Sequence, residues 1–367
     1  MTDKLYMERA LALAAQAQYS AAPNPMVGCV IVRDQQIVGE GWHRRAGEAH
    51  AEVHALQQAG AAAKGATVYV TLEPCSHFGR TPPCANALIE AEVAEVVVAM
   101  VDPNPQVAGR GLAALEAAGI KTKVGVCEAQ ARWLIRGFVS RMTRSRPWLQ
   151  VKMASSLDGN IALANGESQW LTGPDARADV HRFRARSSAV LSTAKTVLCD
   201  QAKLTARAPE TVQQPLRVVL DRSLQLTPEA ALFAQTGPIL LVHDQALQPN
   251  AEVVWPQHVE HFGVAADGQG LDLEALWQEL ARREINIVWT ECGATLAGRL
   301  IEQGWADELI VYLAPQVLGH QAQSMLQLPN YSELQQTPKF KFTETRLIGA
   351  DLRLIAIPDN GRGDLES

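Results

Sequence analysis

The chain predicts a two-domain α/β protein, and three observations carry that reading. At 367 residues it exceeds the usual span of a single domain. Apolar, β-rich runs alternate with segments of helical periodicity through both halves. Between the halves, Thr143-Arg144-Ser145-Arg146-Pro147 is polar, charged and ends in proline, which marks a joint. The expected domains are residues 1–145 and 146–367, with residues 358–367 a loose polar tail.

In the first half, residues 4–18 hold apolar positions at helical spacing and predict an opening helix, which Ala22-Pro23-Asn24-Pro25 breaks. Val27 to Val32 reads as a core strand. Asp34-Gln35-Gln36 turns it into a second strand through Ile37 and Val38. A helix over Ala51–Ala59 follows, with His50 and Glu52 at its start. Ala66–Leu72 is the next strand, closed by Glu73-Pro74-Cys75. Cys84 opens a helix through Ala91, and Val93–Met100 is a strand stopped by Asp102-Pro103-Asn104-Pro105. Helices over Leu112–Ala118 and Glu128–Met142 complete the half.

His50, Cys75 and Cys84 offer one imidazole and two thiolates, three ligands for a zinc ion whose fourth position is left to water. An open position marks a catalytic zinc rather than a structural one. Glu52, two residues after the histidine, is placed to carry protons rather than to bind metal. This is the arrangement of zinc deaminases acting on amino-heterocycles. The cysteines are separated by eight residues, where the usual pattern has two. A structural site with His77 as fourth ligand is the competing reading, and it gives Glu52 no task. His54 is read as a surface or supporting histidine.

The second half restarts as a strand over Trp148–Met153. A helix near Asp175–Arg186 follows, then strands at Val190–Leu191, Leu216–Leu220 and Ile239–Val242. Next come a helix at Leu273–Arg283, a strand at Ile285–Thr290, a helix at Leu296–Gln303 and a strand at Leu309–Leu313. Residues 243–270 are rich in glycine, proline and polar groups and carry no clear period. Glu291-Cys292-Gly293-Ala294-Thr295-Leu296-Ala297-Gly298 joins a strand to a helix. Small residues there let a phosphate approach a helix N-terminus, although glycine at such a turn also serves backbone freedom alone.

Composition narrows the class. A net charge of -6 weighs against general nucleic-acid binding, and no apolar run is long enough to span a membrane. The N-terminus lacks the apolar core of a signal peptide. Six scattered cysteines fit reduced thiols better than a disulfide framework. A cytoplasmic enzyme is expected.

Five motifs of the first half resemble the deaminase half of the bifunctional riboflavin-biosynthesis deaminase–reductase family. They are Pro23-Asn24-Pro25, His50-Ala51-Glu52, Glu73-Pro74-Cys75-Ser76-His77, Thr81-Pro82-Pro83-Cys84 and Asp102-Pro103-Asn104-Pro105, and the long cysteine spacing is part of the likeness. In the second half Lys152 to Gly159, Gly166 to Gly173, Glu291 to Gly298 and Asp307 to Tyr312 resemble its reductase half. The likeness runs over nearly the whole chain and fades after about residue 357.

The resemblance implies a cytidine-deaminase-like α/β/α domain followed by a dihydrofolate-reductase-like α/β domain. It implies zinc on His50, Cys75 and Cys84, with Glu52 as proton carrier. The substrate would be a small pyrimidine bearing a phosphoribosylamino group, deaminated by water and then reduced by NADPH from ribosyl to ribityl. Asn24, Asp102 and Asn104 would line the first pocket, with His77 and Arg80 meeting a phosphate. By residue type alone Asn24 and Asp102 read equally as turn formers, and His77 and Arg80 as members of a solvated loop.

NADPH contacts would be Ala154, Trp170, Thr196, Asp200, Ser223 and the run Gly293, Ala294, Thr295, Leu296, Ala297, Gly298 and Arg299. Substrate contacts of the second domain would be Lys152, Ser168, Arg184, Leu204, Arg207 and Glu291. Guanidinium groups suit a sugar phosphate. By residue type alone, Arg184 is first a solvated helix face, Trp170 a core residue and Lys152 a strand-end cation. Lys152 and Glu291 are both candidates for proton transfer during reduction. A homo-oligomer, dimer or tetramer, is expected, with no nucleic-acid or membrane partner.

Overall fold

The apolar spacing of the N-terminus becomes helix α1, Asp3–Ala14, in the computed structural model, which describes residues 2–76, 83–105 and 107–359. After it come β1 (Gly28–Arg33), β2 (Gln36–Trp42), α2 (Ala51–Ala59), β3 (Thr67–Val70), α3 (Cys84–Glu90) and β4 (Glu95–Val98). Helix α4 (Arg110–Ala117), strand β5 (Lys121–Val124), and helices α5 (Glu128–Leu134) and α6 (Arg136–Arg144) close the first unit. The chain passes into a second compact unit between Arg146 and Pro147.

The first unit is built on a five-stranded sheet of order β2-β1-β3-β4-β5. β1 runs antiparallel to β2 and β3, while β3, β4 and β5 are parallel. Side chains alternate across the sheet, so both faces are covered. Cys29, Ile31, Val68 and Val96 pack under Ala51, Ala55 and Leu88 on one face. Val30, Val32, Tyr69 and Val97 pack against Met7, Leu13, Phe138 and Val139 on the other.

Two differences from the sequence reading have physical causes. The single helix expected over residues 128–142 is broken at Ile135, whose backbone leaves the helical region at φ -105° and ψ 25°. Strand β5 was not expected, because Lys-Thr-Lys-Val at a sheet edge has three exposed residues and no apolar alternation to betray it.

Helix α2 lies unusually close to β2. A methyl group on Gly39 would stand 2.2 Å from the Ala55 carbonyl oxygen, and one on Gly41 would stand 2.3 Å from that of Ala51. Only glycine permits this approach, and the approach fixes the start of α2, where His50 and Glu52 lie.

The second unit contains β6 (Trp148–Ser156), β7 (Asn160–Ala162), α7 (Pro174–Arg186), β8 (Ala189–Thr193), α8 (Ala194–Asp200), β9 (Leu216–Leu220), β10 (Ile239–Asp244) and β11 (Val259–Val264). It continues with β12 (Ala266–Asp267), β13 (Gly270–Leu271), α9 (Leu273–Arg282), β14 (Ile287–Glu291), α10 (Ala294–Glu302) and β15 (Glu308–Ala314). The last strands are β16 (Gln323–Ser324), β17 (Phe340–Ile348) and β18 (Asp351–Pro358).

Nine strands form one sheet in the order β11-β10-β9-β8-β14-β6-β15-β18-β17. The first seven in that order are parallel, and β18 and β17 add an antiparallel hairpin at the edge. β6 sits between β14 and β15, so the strand order reverses around it. In open α/β sheets ligands bind at such a point, outside the carboxyl ends of the strands. At the opposite, amino ends of β6 and β15, buried polar groups lock the register: Trp148 Nε1 and Gln150 Nε2 donate to the two oxygens of Glu308 at 3.0 and 2.7 Å.

Helix α8 and the hairpin β17–β18 were not expected from sequence. Arg353 of β18 is buried and pairs with Asp179 of α7 and Glu344 of β17. Tyr312 of β15 donates to the same Asp179 at 2.7 Å.

Candidate active sites

In the first unit the three metal-ligand candidates converge. One ligand atom from each of His50, Cys75 and Cys84 lies within 4.8 Å of the others. His50 is the residue before α2, extended at φ -75° and ψ 167°, and its ring is not used to cap the helix. Cys75 follows β3, and Cys84 is the first residue of α3. His50 Nδ1 stands 3.2 Å from Cys84 Sγ and 3.6 Å from Cys75 Sγ, and the Cys84 N–H donates to Cys75 Sγ at 3.3 Å. A side-chain hydrogen bond between the two thiols lowers the Cys75 pKa and raises that of Cys84. Two sulfurs and one imidazole nitrogen are a donor set that suits zinc.

Glu52 is 3 % exposed beside this triad, and burial raises its carboxyl pKa. A raised carboxyl exchanges protons nearer to neutral pH. His54 lies outside the triad and is half-buried.

Two further residues organise the site. His43 is 3 % exposed, and its ring meets that of His50 edge-on with centroids 5.3 Å apart. Its Nδ1 donates to the Ala49 carbonyl at 3.2 Å, so its Nε2 accepts from Asn24 Nδ2 at 3.0 Å. Asn24 is thereby linked to the metal site. Glu73, two residues before Cys75, is 4 % exposed. Its two oxygens accept the backbone N–H groups of Asp102, Gly109 and Gly111 at 3.1, 2.9 and 2.8 Å. Asp102 itself accepts the Asn104 N–H at 2.8 Å, which is turn chemistry. His77 and Arg80 lie outside the described residues.

In the second unit, parallel pairing sets Lys152, in the middle of β6, opposite Glu291, the last residue of β14. Glu291 receives the Arg184 guanidinium on both oxygens, at 2.5 and 2.8 Å, and the Trp289 Nε1–H at 2.8 Å. Burial alone would raise its carboxyl. The Arg184 charge, aided by Lys152, overrides this and holds it at about 2. Lys152 is half-buried, and burial lowers its pKa. Arg184 is no solvated helix face: it is tied to Glu291 and, through Nη1, to the Thr205 carbonyl at 2.8 Å. Arg207 is exposed and donates to Thr205 Oγ1 at 3.1 Å.

Ser168 and Trp170 are exposed, and Trp170, 71 % exposed, carries the Arg177 guanidinium 4.7 Å from its ring centroid, so it is not a core residue. Thr196 and Ser223 make local bonds, to Thr193 and Gln225, and Asp200 accepts from Gln169 across 31 residues of chain. Ala154 is half-buried at the end of β6.

Leu204, Leu296 and Ala297 direct their side chains into the core, so only their backbone can meet a ligand. Gly293 precedes α10, with open space where a Cβ would be, whereas Gly298 faces the Gln327 carbonyl. Ala294 and Thr295 form the first turn of α10, and Thr295 Oγ1 donates to Gln327 Oε1 at 2.6 Å. Arg299 points toward Gly270.

His43 and His181 escaped the sequence reading, and Glu73 was noticed only as a motif member. His181 had a signal, since it stands three residues before Arg184 on one helix face.

Residues 147–354 match the RibD C-terminal domain, and residues 1–100 match the cytidine and deoxycytidylate deaminase zinc-binding region. The chain is 48% identical over 366 residues to the riboflavin biosynthesis protein RibD of Escherichia coli strain K12, covering 96% of this chain and 99% of that one. It is 46% identical over 368 residues to RibD of Haemophilus influenzae, covering 97% of each.

Among solved structures, Acinetobacter baumannii RibD superposes with a TM-score of 0.89 at 41% identity, covering 98% of this chain and 99% of that chain. A diaminohydroxyphosphoribosylaminopyrimidine deaminase/5-amino-6-(5-phosphoribosylamino)uracil reductase from Thermotoga maritima superposes with a TM-score of 0.85 at 33% identity, covering 97% and 98%.

Proposed function

Since this chain belongs to the RibD family of bifunctional riboflavin-biosynthesis enzymes, we propose that its two reactions run on two separate sets of residues, one in each unit. The enzyme deaminates 2,5-diamino-6-(5-phosphoribosylamino)pyrimidin-4-one with zinc, then reduces the ribosyl chain to ribityl with NADPH. The convergence of His50, Cys75 and Cys84 around a buried Glu52 is the observation that carries the reading.

Zinc held by His50, Cys75 and Cys84 supplies Lewis acidity toward a water molecule. Glu52 takes a proton from the water, whose oxygen bonds to the ring carbon bearing the amino group, and gives that proton to the amino nitrogen, so that the C–N bond breaks and ammonia leaves. Asn24, kept in place by His43, and the loop of Asp102 and Asn104, kept in place by Glu73, hold the pyrimidine. His77 and Arg80 are assigned to its phosphate.

NADPH supplies hydride to the opened sugar. The turn from Gly293 to Arg299 takes a cofactor phosphate on the N-terminus of α10, and Ala154, Trp170, Thr196, Asp200 and Ser223 take the rest of the cofactor. Lys152, Ser168, Leu204, Arg207 and the Arg184–Glu291 pair face the substrate. Among the described residues no helix is long and apolar enough to cross a membrane, and we assign the enzyme to the cytoplasm as a homo-oligomer, dimer or tetramer.

The test is a pair of half-reactions, ammonia release and NADPH oxidation, on Glu52→Ala. Deamination should fall by about a hundred- to ten-thousand-fold, the usual contribution of a general acid–base group. Zinc content should persist, and already deaminated pyrimidine should still be reduced at close to the parent rate. Loss of both half-reactions in a folded, zinc-loaded variant would refute separate sites.

A further inference from the structure

Two guanidinium groups stand beside the reductase site, and they are electrostatically unlike. Arg184 is bound on both prongs by the Glu291 carboxylate, so its charge is cancelled. Arg207 is held by neutral acceptors. Its Nη1 donates to Thr205 Oγ1 at 3.1 Å, and its Nη2 lies 2.8 Å from His181 Nε2. The Arg207 backbone N–H also faces the ring, 3.3 Å from His181 Nδ1. A neutral imidazole accepts at one nitrogen only, and the shorter contact, from a guanidinium that can only donate, assigns the acceptor to Nε2. Burial, together with Arg184 and Arg207, draws the His181 imidazole down to about 4. The charged groups around it are Arg184 on its own helix, Arg207 on the loop between α8 and β9, and Glu291 on β14.

We propose that His181 is a positioning residue that fixes Arg207 without neutralising it, leaving Arg207 as the cation that reads the substrate's phosphate. A carboxylate in the same place would hold the guanidinium as firmly and cancel its charge, as Glu291 does for Arg184. The inference rests on the reading of Arg207 as a substrate contact. It adds the division of labour: Arg184 faces the substrate with its charge already paired by Glu291, and phosphate selectivity belongs to Arg207 and depends on a neutral residue at position 181.

The test uses the full-length, zinc-loaded enzyme and follows NADPH oxidation with the deaminated phosphoribosyl pyrimidine and with its dephosphorylated analogue. His181→Asn keeps a neutral acceptor and should stay within about threefold of the parent KM, because little binding energy is at stake. His181→Asp should raise KM for the phosphorylated substrate by about ten- to a hundredfold, as Arg207→Ala should, since a charge-assisted hydrogen bond is lost. KM for the dephosphorylated analogue, kcat and ammonia release should hardly move.

Equal KM values for His181→Asp and the parent, with Arg207→Ala impaired, would overturn the role of His181 alone. An unimpaired Arg207→Ala would overturn the reading of Arg207 itself. Equal defects in His181→Asn and His181→Asp would show that imidazole shape rather than neutrality matters, and would also defeat the proposal. Should the aspartate variant not fold, His181→Phe, which deletes the acceptor while filling the space, must raise KM for the phosphorylated substrate only.

Discussion

Arg184 and Glu291 lie 107 residues apart in the chain and meet in a two-pronged ion pair, with Nε 2.5 Å from Oε1 and Nη2 2.8 Å from Oε2. Both side chains are largely buried, at 12% and 15% exposure. The pair joins α7 to the carboxyl end of β14, where the Lys152 side of the site begins. Its energetics follow from its burial, because removing one partner strands the other charge away from water.

Glu291→Gln should therefore destabilise the reductase unit by about 3–5 kcal/mol at neutral pH, the usual cost of breaking a buried pair. Replacing both partners with apolar residues, Arg184→Met with Glu291→Leu, should cost less than either single change. Urea unfolding of the three variants measures this. A double variant less stable than both singles would contradict it.

The pair also sets a pH dependence. Glu291 is held at about 2, below the 4.5 of a free glutamate. Its contribution is fully present above pH 4.5 and is lost as pH falls toward 2. The difference of about 2.5 pH units corresponds to roughly 3 kcal/mol. The stability gap between parent and Glu291→Gln should narrow steadily from pH 5 downward. A gap independent of pH would mean that Glu291 is not ionised in the fold.

Cys75→Ser should release the metal, because the remaining His50 and Cys84 are one ligand short of the three a catalytic zinc needs. Ammonia release should vanish, and reduction of the deaminated pyrimidine should continue. Metal analysis after gel filtration, beside both assays, reads the outcome. Full zinc occupancy in the variant would sink the ligand assignment.

Glu73→Gln keeps the shape of the side chain but turns an amide NH2 toward backbone N–H donors. At least one buried donor loses its acceptor, at about 1–3 kcal/mol. The loop carrying Asp102 should loosen, so KM for deamination should rise while zinc stays bound. Unchanged KM and unchanged unfolding would show that the carboxylate is dispensable.

Gly298→Ala places a methyl carbon 1.9 Å from the Gln327 carbonyl oxygen. Helix α10 must shift, at about 1–3 kcal/mol for overpacking, and its N-terminus must move with it. NADPH affinity, measured by titration calorimetry, should weaken while deamination is untouched. Parent-like affinity would mean that the start of α10 does not bind the cofactor.

By itself the sequence singled out the zinc-ligand candidates that the fold brings together, and most of the elements around them. His50, Glu52, Cys75 and Cys84 are spaced so that strand ends and helix starts deliver them, and Ala51–Ala59 and Leu216–Leu220 were readable to the residue because apolar period and breakers agree there. What has no face in a core leaves no such period. Strand β5 and the half-exposed β17 were invisible for that reason, since a sheet edge is held by backbone hydrogen bonds that any side chain permits. The tertiary structure alone decided the electrostatics: which arginine is cancelled by a carboxylate, which is held by a neutral histidine, and which loop Glu73 ties to the cysteine turn. These depend on distances between residues far apart in the chain, and burial multiplies or cancels a charge only once those distances exist.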